Sequence, residues 1–361
     1  MKIIIFIGVF AVLYFLWCQT IRWGIRNLRC SRSFSRPAVF AGEEAELVEI
    51  VGNYSGVIIP WLLVESKISP HLRFGKQDNL HSSGNMHYCS QFTLMPYQQV
   101  HRRHRVRFLH RGSYNLGNAS LSIGDIIGLA QYQRLQTLDV PVLVYPVLIP
   151  ENKLPQPMSN FMHEVTRTPQ LMRDPFLIRG LRPYQPGDPV RDIHWAATAR
   201  TGDVQVRIHD YTARTRFLVV LNCQIHDRQW HDQFSDEDAE LIEQGISLAA
   251  TACVKAIREG VSVGFATNMA IEGESDSVVM LPTDGGNREE MLLAVLAKLQ
   301  VHRTEPILFL LEELQAYSGM DVLIISAYDS ADLQTAAQKL RSSGNQVLIQ
   351  LLEGDGVCKN D

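Results

Sequence analysis

The sequence predicts a mixed α+β, multidomain chain with an N-terminal transmembrane helix, a β-sandwich and a C-terminal α/β domain. Three observations lead there. Ile3 to Cys18 is an uninterrupted apolar run. Residues 38–149 carry short β-branched and aromatic segments between turn formers. Beyond residue 215, apolar strands alternate with amphipathic helices. The expected boundaries are an anchor over 1–22, the β-sandwich over 38–149, a linker over 150–178 and a last segment over 179–355. With 361 residues, 46% hydrophobic and 20% charged, the chain has the balance of a folded protein. Its net charge of −4 argues against general nucleic-acid binding.

As a helix, the apolar run would span about 24 Å, and Gln19, Thr20 and Ile21 can extend it toward a bilayer core of roughly 30 Å. Tyr14, Trp17 and Trp23 suit the interfacial belt. No small-x-small cleavage site follows, so the run reads as an uncleaved anchor rather than a signal peptide. Lys2 stands alone before it, whereas Arg22, Arg26, Arg29, Arg32 and Arg36 follow it with no acid before Glu43. Positive charge stays cytoplasmic, which predicts a single-pass protein of the cell membrane, N-terminus outside and the remaining chain in the cytosol. Those five arginines are also placed to meet membrane lipid head groups. The cysteines at 18, 30, 89, 223, 253 and 358 are scattered without a C-x-x-C pair, as in a reducing compartment.

In the sandwich, strands are expected at 45–51, 58–68, 86–94, 100–109, 114–123 and 140–147, with Gly, Pro, Asn and Ser clusters between them. The segment 100–111 places His101, Arg103, Arg105 and Arg107 on one face, either a solvated sheet face or a basic platform facing the membrane or an acidic partner. The histidines at 101, 104 and 110 lack a ligating companion and do not make a zinc site. Pro150, Pro155, Pro157, Pro169 and Pro175 mark the linker or an extended crossing segment. Further on, Phe217–Leu221 reads as a buried strand. Ser235 caps a helix stopped by Gly260, and Val261–Ala266 is the next strand. Helices are expected near 288–300, 306–316 and 330–342, with strands at 321–326 and 346–352. Such parallel sheets bind ligands at the carboxyl ends of their strands, which directs attention to the loop Asn222–His226.

Residues 179–210 concentrate charge, aromatics and turn formers. Asp188-Pro189 suits the start of a helix running through His194 and Trp195 to about Ala199, with Gly202 ending it; a strand follows over 204–209. Three uses are open. The first is a polar clamp that fixes this unit to the sheet. The second is a binding face in which Arg182, Arg191 and Arg200 receive a carboxylate or phosphate, with Tyr184 and Trp195 as aromatic anchors. The third is an enzymatic site with His194 as general base near Asp188 or Asp192, although no nucleophile or oxyanion site accompanies it.

The run Gly180 to Gly202 resembles the signature of a bacterial domain-of-unknown-function family, number fifty-eight. The resemblance is specific at Arg182, Tyr184, Gly187, Asp188, Arg191, Ile193, His194, Trp195, Ala199, Arg200, Thr201 and Gly202. Upstream, Pro60-Trp61, Arg111 to Tyr114, Gly124-Asp125 with Gly128-Leu129, and Val144-Tyr145-Pro146 are similar to the landmarks of its β-domain. The resemblance implies membrane anchoring, genes beside MoxR-type AAA ATPases, and a C-terminal part like a von Willebrand factor A domain, a Rossmann-like α/β fold. Such domains often hold a divalent ion on an Asp-x-Ser-x-Ser loop. Here Asn222 replaces the carboxylate, Gln224 and His226 replace the hydroxyls, and Ala327 stands at the distal acid. Hard cations need anionic oxygens, so no metal and no other cofactor is expected, Asp227 and Asp329 being the nearest carboxylates. The function expected is a membrane-anchored, non-enzymatic adaptor. Its protein partner would be of the MoxR ATPase class in envelope or secreted-protein assembly. The alternative is a metal-dependent or hydrolytic enzyme using Asp188, Arg191 and His194.

Overall fold

The computed structural model describes residues 2–75, 80–83, 87–124, 131–167, 171–213, 215–227, 229, 234–283 and 285–352. They form two compact units, one of residues 1–147 with 293–298, the other of 148–292 with 299–361. Asp125, Gly128, Leu129 and Cys358 lie outside the described residues.

The first unit opens with α1 (Lys2–Arg26), followed by β1 (Leu28–Phe34), β2 (Ala38–Phe40), β3 (Glu44–Asn53) and β4 (Ile59–Lys67). Next come β5 (Leu72–Phe74), β6 (Leu80–Ser83), β7 (His87–Leu94) and β8 (Gln99–Phe108). It closes with β9 (Gly112–Asn115), β10 (Ala119–Gly124), β11 (Gln131–Gln136) and β12 (Pro141–Tyr145). One sheet runs β1-β3-β8-β5, a second β11-β10-β4-β7-β6, and a small third β2-β12-β9. Period-2 alternation explains the layering: Leu47, Val51, Val106 and Phe108 from the first sheet meet Leu62, Val64, Phe92, Leu121 and Ile123 from the second in one apolar core. The segment expected as one strand over 114–123 is two, β9 and β10, in different sheets.

The helix α1 runs past the expected end of the anchor. It is long and apolar enough to cross a membrane. Its last turns differ from the rest: Ile21 and Ile25 are buried in the β-core, while Ile3 through Phe6 are exposed. Arg134 on β11 closes the helix by donating to the carbonyls of Ile25, Arg26 and Leu28 at 3.0, 3.2 and 2.8 Å. A guanidinium there satisfies orphan carbonyls and complements the negative end of the helix dipole. One expectation fails here. Arg32 is buried within β1, so it is not among the arginines that can reach lipid head groups.

The second unit contains α2 (Gln156–Arg167), β13 (Leu171–Pro183), α3 (Trp195–Thr201), β14 (Gln205–Ala213) and β15 (Arg216–Leu221). It continues with α4 (Asp236–Arg258), β16 (Ser262–Thr267), β17 (Met269–Ile271), β18 (Val278–Thr283), α5 (Arg288–Lys298) and β19 (Leu299–Arg303). The last elements are α6 (Ile307–Leu314), β20 (Asp321–Ser326), α7 (Ala331–Ser342) and β21 (Gln346–Leu351). A five-stranded sheet runs β18-β16-β15-β20-β21, parallel except for the edge strand β18. Leu218 and Val220 of β15 pack against Leu310, Leu311 and Leu314 of α6 and Leu333 and Leu340 of α7. Residues of opposite parity, such as Phe217 and Leu221, face α2 and α4. Ser235 and Asp238 cap α4 reciprocally, fixing where that helix begins.

Where the prolines suggested a linker, residues 156–167 form α2. Its Met158, Met162 and Val165 are buried, and it packs on α4 and β21. The reason is visible in retrospect: those three residues recur at helical spacing.

Candidate functional site

The dense stretch forms a two-stranded arm, β13 paired with β14, whose connection at 184–204 carries α3. The single helix expected from Asp188 to Ala199 is broken in two. A short 3-10 turn covers Val190–Asp192, and Ile193 is extended and bridges Val206. Only then does α3 begin. Asp188 does not cap it because its carboxylate is taken: Arg182 grips both oxygens at 2.7 Å, and the Gln185 N–H donates to one of them at 2.9 Å.

His194 takes the capping role instead. Its Nδ1 accepts from Ala197 N–H at 3.0 Å, and Gly202 ends the helix with φ 81°. Thr198 Oγ1 donates to the His194 carbonyl and accepts from Gln205 N–H, tying α3 to β14. Replacing His194 by Ala removes this cap and is expected to cost the arm about 1 kcal/mol. His194→Asn should retain most of it. Urea denaturation of the two variants side by side checks the assignment.

The remaining residues of the cluster are not drawn together. Arg191 and Arg200 are exposed, with no ion pair among the described residues. Trp195 is 66% exposed, Val190 69% and Tyr184 41%, and Leu181, Val204 and Ile208 add further exposed apolar surface. Arg182 and Asp188 realise the polar clamp. Asp192, a candidate partner of His194 in the enzymatic reading, is buried beside the break.

At the carboxyl ends of the parallel strands a different cluster assembles. Asn222 follows β15, Asn268 follows β16 and Ser326 ends β20, where the strand order reverses. All three are buried, as is Gln224. Asn222 Nδ2 donates to Ser326 Oγ at 3.1 Å, while Asn222 Oδ1 accepts from Gln224 N–H at 3.0 Å and from Asn268 Nδ2 at 3.3 Å. Asn268 Oδ1 receives Cys223 N–H at 2.9 Å, and Gln224 Oε1 receives Ile307 N–H at 2.7 Å. The oxygens that would ligate an ion are thus committed to neutral donors. His226 is exposed and stands outside this cluster. Asp227 accepts from Ser330 and Asp329 from Gln334, so the nearby carboxylates serve the start of α7. Asn268 carried no motif signal.

A third cluster lies inside the β-sandwich. Arg32 donates through Nε and Nη2 to Glu49 Oε1 at 2.8 and 2.6 Å and also to Ser66 Oγ. His104 Nε2 approaches Glu49 Oε2 at 3.7 Å, and the Arg32 guanidinium lies over the Tyr88 ring at 5.1 Å. Burial would raise the Glu49 carboxyl, but the attraction of His104 and Arg32 outweighs it and holds the group below its ordinary value. A signal existed: Arg32, Glu49 and His104 each occupy an inward position in an otherwise apolar alternation.

The fold is that of a two-unit α+β protein with an apolar N-terminal helix and an arm that exposes apolar and aromatic side chains. Residues 180–354 match the family described as "Protein of unknown function DUF58". No curated protein matches the chain. Among solved structures, a CARDB domain from Pyrococcus furiosus is 14% identical over 32% of this chain and 93% of its own, with a TM-score of 0.22. A non-cellulosomal cohesin from Archaeoglobus fulgidus is 11% identical over 32% of this chain and 91% of its own, with a TM-score of 0.25. Alpha-2-macroglobulin from Escherichia coli is 14% identical over 39% and 26%, also at 0.25. Scores this low carry no argument about fold or function.

Proposed function

We propose that this chain is a membrane-anchored, non-enzymatic scaffold that docks a protein partner through the arm at 181–208. The observation that carries the reading is the exposure of Trp195, Val190 and Tyr184 on one short connection beside two exposed arginines, Arg191 and Arg200, with no ion pair among the described residues. Exposed Trp, Tyr and Arg are the residue types that dominate binding energy at interfaces. Their scaffold is rigid: the His194 cap, the Arg182–Asp188 fork and the β13–β14 ladder fix the connection from both ends. The anchor is α1, and the charge step from Lys2 to Arg22, Arg26 and Arg29 supports an outward N-terminus with both units in the cytosol.

The second unit is read as von Willebrand factor A-like, supported by its doubly covered parallel sheet and by Asn222 standing at the metal-loop position. A MoxR-type AAA ATPase is the partner class that the family resemblance suggests. The enzymatic alternative has less support, since Asp188 is held by Arg182 and the His194 Nδ1 lone pair by a backbone amide.

Crosslinking of the full chain in native membranes, followed by pull-down, tests the proposal. Trp195→Ala is expected to weaken capture of the partner about 30-fold or more, at hot-spot magnitude, with the fold unchanged by circular dichroism. Arg191→Ala should lower it further. Undiminished capture by the double variant would reject the arm as the docking surface. Turnover of a substrate abolished by His194→Ala would reject the scaffold reading itself.

A further inference from the structure

We propose that the β-sandwich unit is itself seated in the bilayer surface, through the apolar tip made by the loops at 54–58 and 95–97. The inference rests on α1 crossing the membrane and adds a second, independent contact with lipid. Ile58 is 54% exposed, Met95 55% and Tyr97 74%, and Tyr54, at the start of the first loop, is exposed as well. An isolated exposed apolar residue needs no explanation, but a contiguous group at one end of a domain does.

The tip is built, not slack. Asn53 Nδ2 donates to the carbonyls of Val57 and Met95 at 2.7 and 3.0 Å, and Tyr97 N–H donates to the Ser55 carbonyl at 3.3 Å. Gln98 closes the second loop in both directions, through its backbone N–H and its side-chain oxygen, each bonded to Met95. Tyr97 is held at φ 56°, a left-handed conformation that bulky residues rarely adopt. These hydrogen bonds hold the turn, and its Tyr97 side chain is left exposed.

Depth decides what covers it. A cleft of about 390 Å³ separates α1 from the tip, with Trp17, Thr20, Ile21 and Gly24 on the helix side and Val57 to Pro60 and Ile123 on the other. Placing Ile3 to Ile21 in hydrocarbon fills about 28 Å of a core of roughly 30 Å. Gly24 sits against Ile59, and the cleft sets Val57 to Pro60 alongside Trp17, Thr20 and Ile21, the last turns of the apolar run. At that level the tip meets lipid, and the cleft between it and α1 accepts an acyl chain. Arg22 and Arg29 lie over the rings of Tyr132 and Tyr54, at the height of anionic head groups.

The test uses the full chain in vesicles of phosphatidylcholine and phosphatidylglycerol, carrying an environment-sensitive fluorophore at Ile58→Cys, Met95→Cys or Tyr97→Cys. Cys18, Cys89 and Cys358 are replaced in the background. Cys30, Cys223 and Cys253 are buried, and burial pushes the thiols of Cys30 and Cys253 up to about 12, so they do not label. Val12→Cys reports the anchor, and Lys67→Cys, at the far end of β4 about 26 Å from the tip, reports bulk water. Labels at 58, 95 and 97 should lose roughly half their emission or more to brominated acyl chains and resist aqueous iodide, as at Val12 and unlike Lys67. Iodide access at the tip with lipid quenching at Val12 overturns the inference and leaves the anchor standing. Shielding from both quenchers means that protein covers the tip and overturns it too. Loss of lipid quenching at Val12 overturns the anchor and the inference together.

Discussion

Glu49→Gln is expected to destabilise the β-sandwich unit by about 3–5 kcal/mol, because it leaves the buried Arg32 guanidinium without its counter-charge. Breaking one side of a buried pair costs far more than the pair is worth. Replacing both partners, as Arg32→Met with Glu49→Leu, should therefore recover most of the loss. Urea unfolding followed through the near-ultraviolet signal measures all three, and a double variant as unstable as Glu49→Gln would refute the account. The pair also sets an acid limit. The folded carboxyl sits below the ordinary value of 4.5, with Arg32 and His104 favouring its charged form. Its contribution is thus complete above that pH and is lost as pH falls through the lower, folded value. In Glu49→Gln this part of the acid dependence should vanish.

Asn268→Ala should cost the second unit about 2–4 kcal/mol, since it strands the Cys223 N–H and removes the donor to Asn222, Gln224 and the Glu305 carbonyl. Asn268→Asp is the sharper probe. One carboxylate oxygen can still receive Cys223 N–H, but the other faces three acceptor oxygens. The variant should be less stable than wild type at neutral pH, and acid should relieve part of the defect. Thermal unfolding at neutral and acid pH reads both points, and repeating it with magnesium tests the loop for a metal. Stabilisation of the wild type by magnesium would overturn the reading of this loop as a neutral, metal-free cluster. Binding at the arm, measured in parallel, should be unchanged in either variant.

Much of this architecture was legible locally. The apolar run marks α1, Ser235 with Asp238 marks the start of α4, alternating side chains mark β3 and β8, and a continuous apolar run marks β15. The arm was legible as an unusual stretch, but its internal assignment was not. Asp188-Pro189 has the form of a helix start, and only the folded chain gives that carboxylate to Arg182. Likewise, five arginines after α1 looked equivalent in sequence. Burial separates Arg32 from the others, because β1 pairs with β3 and turns its even-numbered residues inward. The prolines at 150–175 outweighed a helical recurrence at 158, 162 and 165 that packing made decisive.

The sequence by itself marked most of the elements, the apolar N-terminal helix and the unusual stretch that forms the arm, because periodicity, caps and composition act within a few residues. Tertiary structure alone decided which polar groups meet. Arg32, Glu49 and His104 come from three strands, and Asn222, Asn268 and Ser326 from three loops or strand ends. Each of these groups is tolerable in the interior only through its distant partners, and no local propensity encodes a partner fifty or a hundred residues away.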